Sequence, residues 1–206
     1  MEQAELGREI SRCRICVDAP RGKALPHEPR PVVVLSNTAR IAICGQAPGT
    51  RVHQSGVPFT DPSGDRLRDW MGVGPDIFYD PQRIAIVPMG MCFPGLDAKG
   101  GDLPPRKECA ATWRQRIFET MDQIELILAI GGYAQNWHLG ELSRGGVNAT
   151  VGEWQSIVMR PGKPVIFPLP HPSWRNNAWI TRNPWFSNAL LPDLKKLIQR
   201  LLVGKS

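Results

Sequence analysis

The sequence predicts an α/β fold: a three-layer α/β/α sandwich around a parallel sheet of about four strands. Three observations carry that expectation. Short runs rich in Ile and Val recur along the chain, each is followed by Gly or Pro, and helical patterns lie between them. Strands covered on both faces read as continuous apolar runs, and strands alternating with helices pair in parallel. The first run is residues 40–44 (RIAIC). A Ser63-Gly64 turn then opens a helical pattern over residues 65–71 (DRLRDWM). The second run is residues 83–87 (RIAIV). It is followed by a loop over residues 89–105 that holds four glycines and three prolines. A loop of that length is expected to be functional or stapled. Residues 106–121 put Cys109, Trp113, Ile117 and Met121 at helical spacing. The last two runs are residues 124–130 (IELILAI) and 164–167 (PVIF). Residues 190–202 then repeat Leu and Ile at helical steps before a stop signal at Gly204. Residues 17–40, rich in proline and charge, read as a surface excursion. A sheet of this kind takes ligands beyond the carboxyl ends of its strands.

The 206 residues are enough for one sizeable core, so residues 1–206 are read as a single domain. Lys and Arg number 25 against 19 Asp and Glu, a net charge of +6 that favours a polyanionic partner. The charged N-terminus lacks the apolar stretch of a signal peptide, and no run approaches the roughly 18 apolar residues of a membrane span. A cytoplasmic location, with no membrane partner, is therefore expected. In such a reducing compartment five cysteines point to metal binding or burial rather than to disulfides.

Three loop motifs occur in order: Gly45-Gln46-Ala47-Pro48-Gly49 after the first run, Gly56-Val57-Pro58-Phe59, and Leu169-Pro170-His171-Pro172-Ser173 after the last. Together they resemble the signature segments of the uracil-DNA glycosylase superfamily, closest to its iron–sulfur (family 4-like) branch, with a divergent first motif. The resemblance runs from Cys13 to about Leu202. It implies a monofunctional hydrolysis of the N-glycosidic bond of flipped-out deoxyuridine, in single- or double-stranded DNA, releasing uracil and leaving an abasic site, by a monomer. Cleaving that bond builds negative charge on the departing base, and His171 can aim a donor at uracil O2. By the same resemblance Phe59 offers a stacking face, while Gly45, Gln46 and Ala47 line the uracil pocket with backbone.

The departures from the pattern matter equally. The first motif of the superfamily often carries a carboxylate at its second or third residue, where this chain has Gln46 and Ala47. Another branch takes an Asp from the segment after the Phe. Here Asp61 is the counterpart, expected to orient water and stabilise the sugar cation. Asp65, at the expected start of a helix, reads as a capping or dipole residue. The Asn that reads uracil in the iron–sulfur branch is replaced by Pro88, and Asn136 is the candidate substitute.

Cys13-x-x-Cys16, with Cys92 and Cys109, matches the ligand spacing of that branch; Cys44 falls inside the first run and reads as a buried small hydrophobe. Four thiolates suit either a 4Fe–4S cubane or tetrahedral zinc, and spacing alone does not separate them. The resemblance favours the iron–sulfur cluster, in a structural role. Residues 173–186 (SWRNNAWITRNPWF) alternate aromatic with basic or amide side chains. Ser173, Trp174, Arg175 and Arg182 are the expected DNA contacts, Trp174 and Arg175 standing where a wedge would enter the gap left by the flipped base. The alternative is a capture protein of the same fold that binds uracil or abasic DNA with little turnover.

Overall fold

The structure, a computed structural model, describes residues 2–203. In chain order the elements are α1 (Glu2–Ser11), α2 (Ile15–Asp18), β1 (Ile41–Cys44), α3 (Thr50–Ser55), α4 (Pro62–Met71), α5 (Pro75–Phe78), β2 (Ile84–Ile86), α6 (Lys107–Glu119), β3 (Leu126–Ile130), α7 (Gly131–Leu139), α8 (Gly146–Gly152), α9 (Trp154–Val158), β4 (Val165–Leu169), α10 (Asn177–Arg182) and α11 (Leu191–Val203). The four strands form one parallel sheet in the order β2-β1-β3-β4. Ile41 stands beside Ile84 on one side and Leu126 on the other, and Leu126 beside Val165. The predicted three-layer sandwich is the observed fold.

The two faces of the sheet differ in side-chain size, because successive residues of a strand point to opposite sides. Ile41, Ile43, Ile84, Ile86, Leu126, Leu128 and Phe167 face one way, where Leu67, Trp70 and Met71 of α4 and Leu194 and Ile198 of α11 pack against them. Ala42, Cys44, Ala85 and Ala129 face the other way. Those small side chains let α6 lie close to the sheet, with Trp113 and Ile117 filling the space and α1 adding Leu6 and Ile10. Burying each large aliphatic or aromatic side chain stabilises the fold by about 1.5–3 kcal/mol. Cys44 is fully buried, as expected.

The structure moves several boundaries. Ser63 and Gly64 are not a turn before a helix but part of the first turn of α4, which starts at Pro62. Asp61 is its N-cap: one carboxylate oxygen accepts from the Ser63 amide at 2.8 Å, the Gly64 amide at 3.3 Å and the Ser63 hydroxyl. The capping role expected of Asp65 thus belongs to Asp61, and Asp65 pairs with Arg68 at 2.5 Å instead. Strand β4 continues through Pro168 to Leu169, which its edge position permits. A π turn over Phe186–Leu190 precedes α11, and the stop signal at Gly204 lies outside the described residues. The helices α7, α8 and α9 between β3 and β4 carried no clear pattern in the sequence. Among the described residues no helix is long and apolar enough to cross a membrane.

Candidate functional site

All four strands run toward one cavity of about 240 Å3. Residues 45–49 follow β1 and form one wall; Pro88 follows β2, Ile130 ends β3, and His171 and Ser173 follow β4. The parallel sheet therefore delivers residues far apart in sequence to one edge, as its topology requires. The Gly45 and Gln46 carbonyls accept from the Met89 and Gly90 amides, both at 2.9 Å, locking the two loops together.

Phe59 lies on the cavity wall with φ 56°, in the left-handed region that a bulky residue rarely adopts. Such a conformation persists only where its surroundings over-determine it, and it tends to mark a ligand site. Two contacts hold it. The Tyr79 hydroxyl donates to the Phe59 carbonyl at 3.1 Å, and Phe78 meets the Phe59 ring edge-on, with centroids 5.7 Å apart. Gly64 makes the approach possible, since a Cβ there would stand 1.9 Å from the Phe59 carbonyl oxygen.

His171 lines the cavity together with two carboxylates, Asp61 and Asp102, that act on it electrostatically. Burial pushes its pKa below the ordinary histidine value; Asp61 and Asp102 pull it up, and Arg175 pushes it down. The imidazole is thus neutral at neutral pH, with one ring N–H to donate. Its carbonyl accepts from the Asn176 side-chain amide at 2.6 Å, which ties the histidine loop to the segment that follows. Asp102, on the loop after β2, is a wall residue that the sequence reasoning missed. The signal available was a carboxylate in a long Gly/Pro loop, but no motif singled it out.

The expected DNA-facing residues divide. Ser173 and Arg175 reach the cavity wall, and Trp174 beside them is 72% exposed, with the Arg175 guanidinium 5.8 Å from its ring centroid. Arg66 of α4 holds this segment, donating to the Ser173 carbonyl at 3.0 Å and the Asn177 side chain at 2.7 Å. Arg182 is exposed at the end of α10, its Nε donating to the Ala178 carbonyl. Gln46 and Ala47 line the cavity, as does Pro88. Asn136 is not among the lining residues: it is exposed on α7, and its side-chain oxygen accepts from the Ser143 hydroxyl at 2.8 Å. Gln46 is the one wall residue with a side-chain amide.

Cys13, Cys16, Cys92 and Cys109 surround a separate small void next to the N-terminal helices, and none is in a disulfide. Burial pushes the thiols of Cys16, Cys92 and Cys109 up to about 12, with the neighbouring cysteines adding to the shift. Three of the four sulfurs are met by N–H donors: Cys13 by the Trp113 indole at 3.4 Å, Cys109 by the Met91 amide at 3.3 Å, and Cys92 by the Arg30 amide. Arg106 lines the same void, its Nε buried without a partner. Anionic sulfur ligands gain from donors and a cation of this kind. Among the described residues no three His, Cys, Asp or Glu side chains converge as they would on one metal ion.

The family model described as the uracil DNA glycosylase superfamily matches residues 33–195, most of the chain and all three loop motifs.

Proposed function

Since the chain belongs to the uracil DNA glycosylase superfamily, we propose that it hydrolyses the N-glycosidic bond of deoxyuridine flipped out of DNA, releasing uracil and leaving an abasic site. The observation that carries this reading is the meeting of His171, Phe59 and Asp61 on one cavity at the carboxyl edge of the sheet. A cavity of about 240 Å3 does not admit a duplex, so the base must leave the stack to reach it.

Phe59 supplies the face on which the base stacks, worth about 1–3 kcal/mol and insensitive to base identity. As the glycosidic bond lengthens, negative charge gathers on uracil O2, and the neutral His171 imidazole donates to it. One preorganised donor of this type contributes about 10²–10³-fold in rate. Asp61, tied to the start of α4, places a fixed negative charge on the cavity wall to stabilise the developing sugar cation. Pro88 has no donor for the uracil edge, so that edge is read by the backbone of residues 45–49 and the Gln46 amide. Arg175 and Arg182 bind phosphates, and exposed Trp174 fills the gap left by the base. The presence of carboxylates on the wall weighs against capture without turnover.

The four cysteines hold a 4Fe–4S cluster on this reading, as a structural staple. It joins Cys13 and Cys16 of the N-terminal segment to Cys92 and Cys109, which flank the long loop after β2. Incubation with a uracil-containing oligonucleotide followed by alkali should give strand cleavage at the uracil, and His171→Ala should reduce its single-turnover rate about 10²-fold or more. A wild-type protein that leaves the strand intact refutes the proposal.

A further inference from the structure

We propose that Asp102 is the catalytic base that takes the proton of the attacking water, a role that rests on the glycosylase reading above. The need for a second carboxylate follows from the first. One Asp61 oxygen is engaged by two backbone amides and the Ser63 hydroxyl, an arrangement that makes it a fixed charge and helix cap. Asp102 lines the same cavity, and among the described residues its carboxylate accepts no hydrogen bond. Its oxygens are free for a water.

The loop is built to hold that carboxylate in place. Leu96 and Asp102 pair across a short antiparallel bridge. Asp97 closes the turn between them, accepting from the Lys99 amide at 2.8 Å and the Gly101 amide at 2.9 Å. The next residue, Leu103, is fixed on both sides: its amide donates to the Gly95 carbonyl at 2.9 Å, and its carbonyl accepts from the Gln46 side chain at 3.4 Å. Across the gap Gly49 leaves room, a Cβ there standing 3.4 Å from an Asp102 oxygen.

The surroundings also suit the task. Burial raises the Asp102 pKa above the ordinary carboxylate value and Asp61 raises it further, while His171 and Arg175 lower it. A higher pKa makes a better proton acceptor near neutrality. In the step itself, the water O–H bond breaks and its proton passes to an Asp102 oxygen as the water oxygen bonds to C1′. The C1′–N1 electron pair leaves with uracil, whose O2 meets the His171 N–H. The proton on Asp102 then passes to the uracil anion.

The test is single-turnover excision from a uracil-containing oligonucleotide at saturating enzyme, from about pH 5 to about pH 9. Asp102→Asn should lower the rate about 10²-fold or more and abolish its rise with pH. Asp102→Glu should keep the rise, and added formate should rescue Asp102→Ala. Asp61→Asn should be slower than wild type yet retain the pH dependence. Affinity for abasic-product DNA should stay near wild type in every Asp102 variant. An Asp102→Asn protein that folds and excises uracil at the wild-type rate and pH dependence overturns the assignment and leaves the glycosylase reading standing. A wild-type protein that excises no uracil overturns both.

Discussion

Gly64 packs directly against Phe59, leaving no room for a side chain, and Gly64→Ala probes that contact directly. The added methyl would stand 1.9 Å from the Phe59 carbonyl oxygen, 2.8 Å from its carbonyl carbon and 2.9 Å from its Cβ. Two of these atoms are backbone, so no rotamer change relieves the clash. The carbonyl must retreat by at least about 1 Å to reach the 3.0 Å that Cβ atoms tolerate. That movement breaks or bends the Tyr79–Phe59 hydrogen bond and shifts a backbone already at φ 56°. Overpacking costs about 1–3 kcal/mol, and the better helix propensity of Ala offsets about 0.5–1 kcal/mol of it. Net destabilisation should be about 1–2 kcal/mol. The effect on excision should be larger than stability alone implies, because a positioned group displaced by about 1 Å costs about 10²-fold in rate. Thermal melting and single-turnover excision, below the melting transition, measure the two effects separately. A Gly64→Ala protein with wild-type melting and wild-type excision would refute the claim that Phe59 is held where the base must stack.

Three further outcomes are expected. Anaerobically purified protein should be brown, absorb near ~400 nm and carry iron; colourless protein without iron removes the cluster. Arg175→Ala should weaken DNA binding and reduce the slope of log affinity against log salt by about 0.9, as loss of one phosphate contact requires. His138, buried beside Arg114, has its pKa pushed down to about 3 by burial and then by Arg114. The unfolded chain, with histidine near 6.5, binds a proton that the fold refuses, so stability should fall as pH drops from about 6.5 toward 3, by at most about 1.4 kcal/mol per pH unit. His138→Asn should flatten that dependence in melts between those limits, and an unchanged profile would contradict it.

What the sequence makes legible is what local pattern controls. The four Ile/Val runs become the four strands because burial on both faces leaves them no polar positions, and the parallel order follows from the helices between them. Loops after β1 and β4 could be picked out because their Gly, Pro and His residues are unusual where a strand ends. The start of α4 was misplaced for a physical reason. Ser63-Gly64 favours a turn locally, whereas the Asp61 carboxylate and Pro62 at the first helical position draw the same residues into the helix. Asn136 has the right chemistry, but α7 leaves it exposed and away from the cavity. Asp102 was illegible because its place depends on how a loop far from β1 folds against Gly49, which no local spacing encodes.

The two carboxylates show why that loop needs a staple. Asp61 is positioned by a helix, whose own hydrogen bonds fix its first turn. Asp102 sits on a segment of irregular backbone between β2 and α6, restrained by the Leu96 bridge, the Asp97 turn and the Leu103 hydrogen bonds rather than by a helix. The bridge at Leu96 and the Asp97 turn fix its immediate geometry, and the Met89 and Gly90 amides tie its start to the loop after β1. Cys92 and Cys109 stand on either side of it, beside the void they share with Cys13 and Cys16. A base that must stand within hydrogen-bond reach of one water needs its supporting backbone set to within about 0.5 Å. The proposed cluster would act on catalysis at a distance, by holding the ends of the loop that carries the carboxylate. Loss of the metal should therefore slow excision through Asp102 while leaving Asp61, His171 and the fold of the sheet in place.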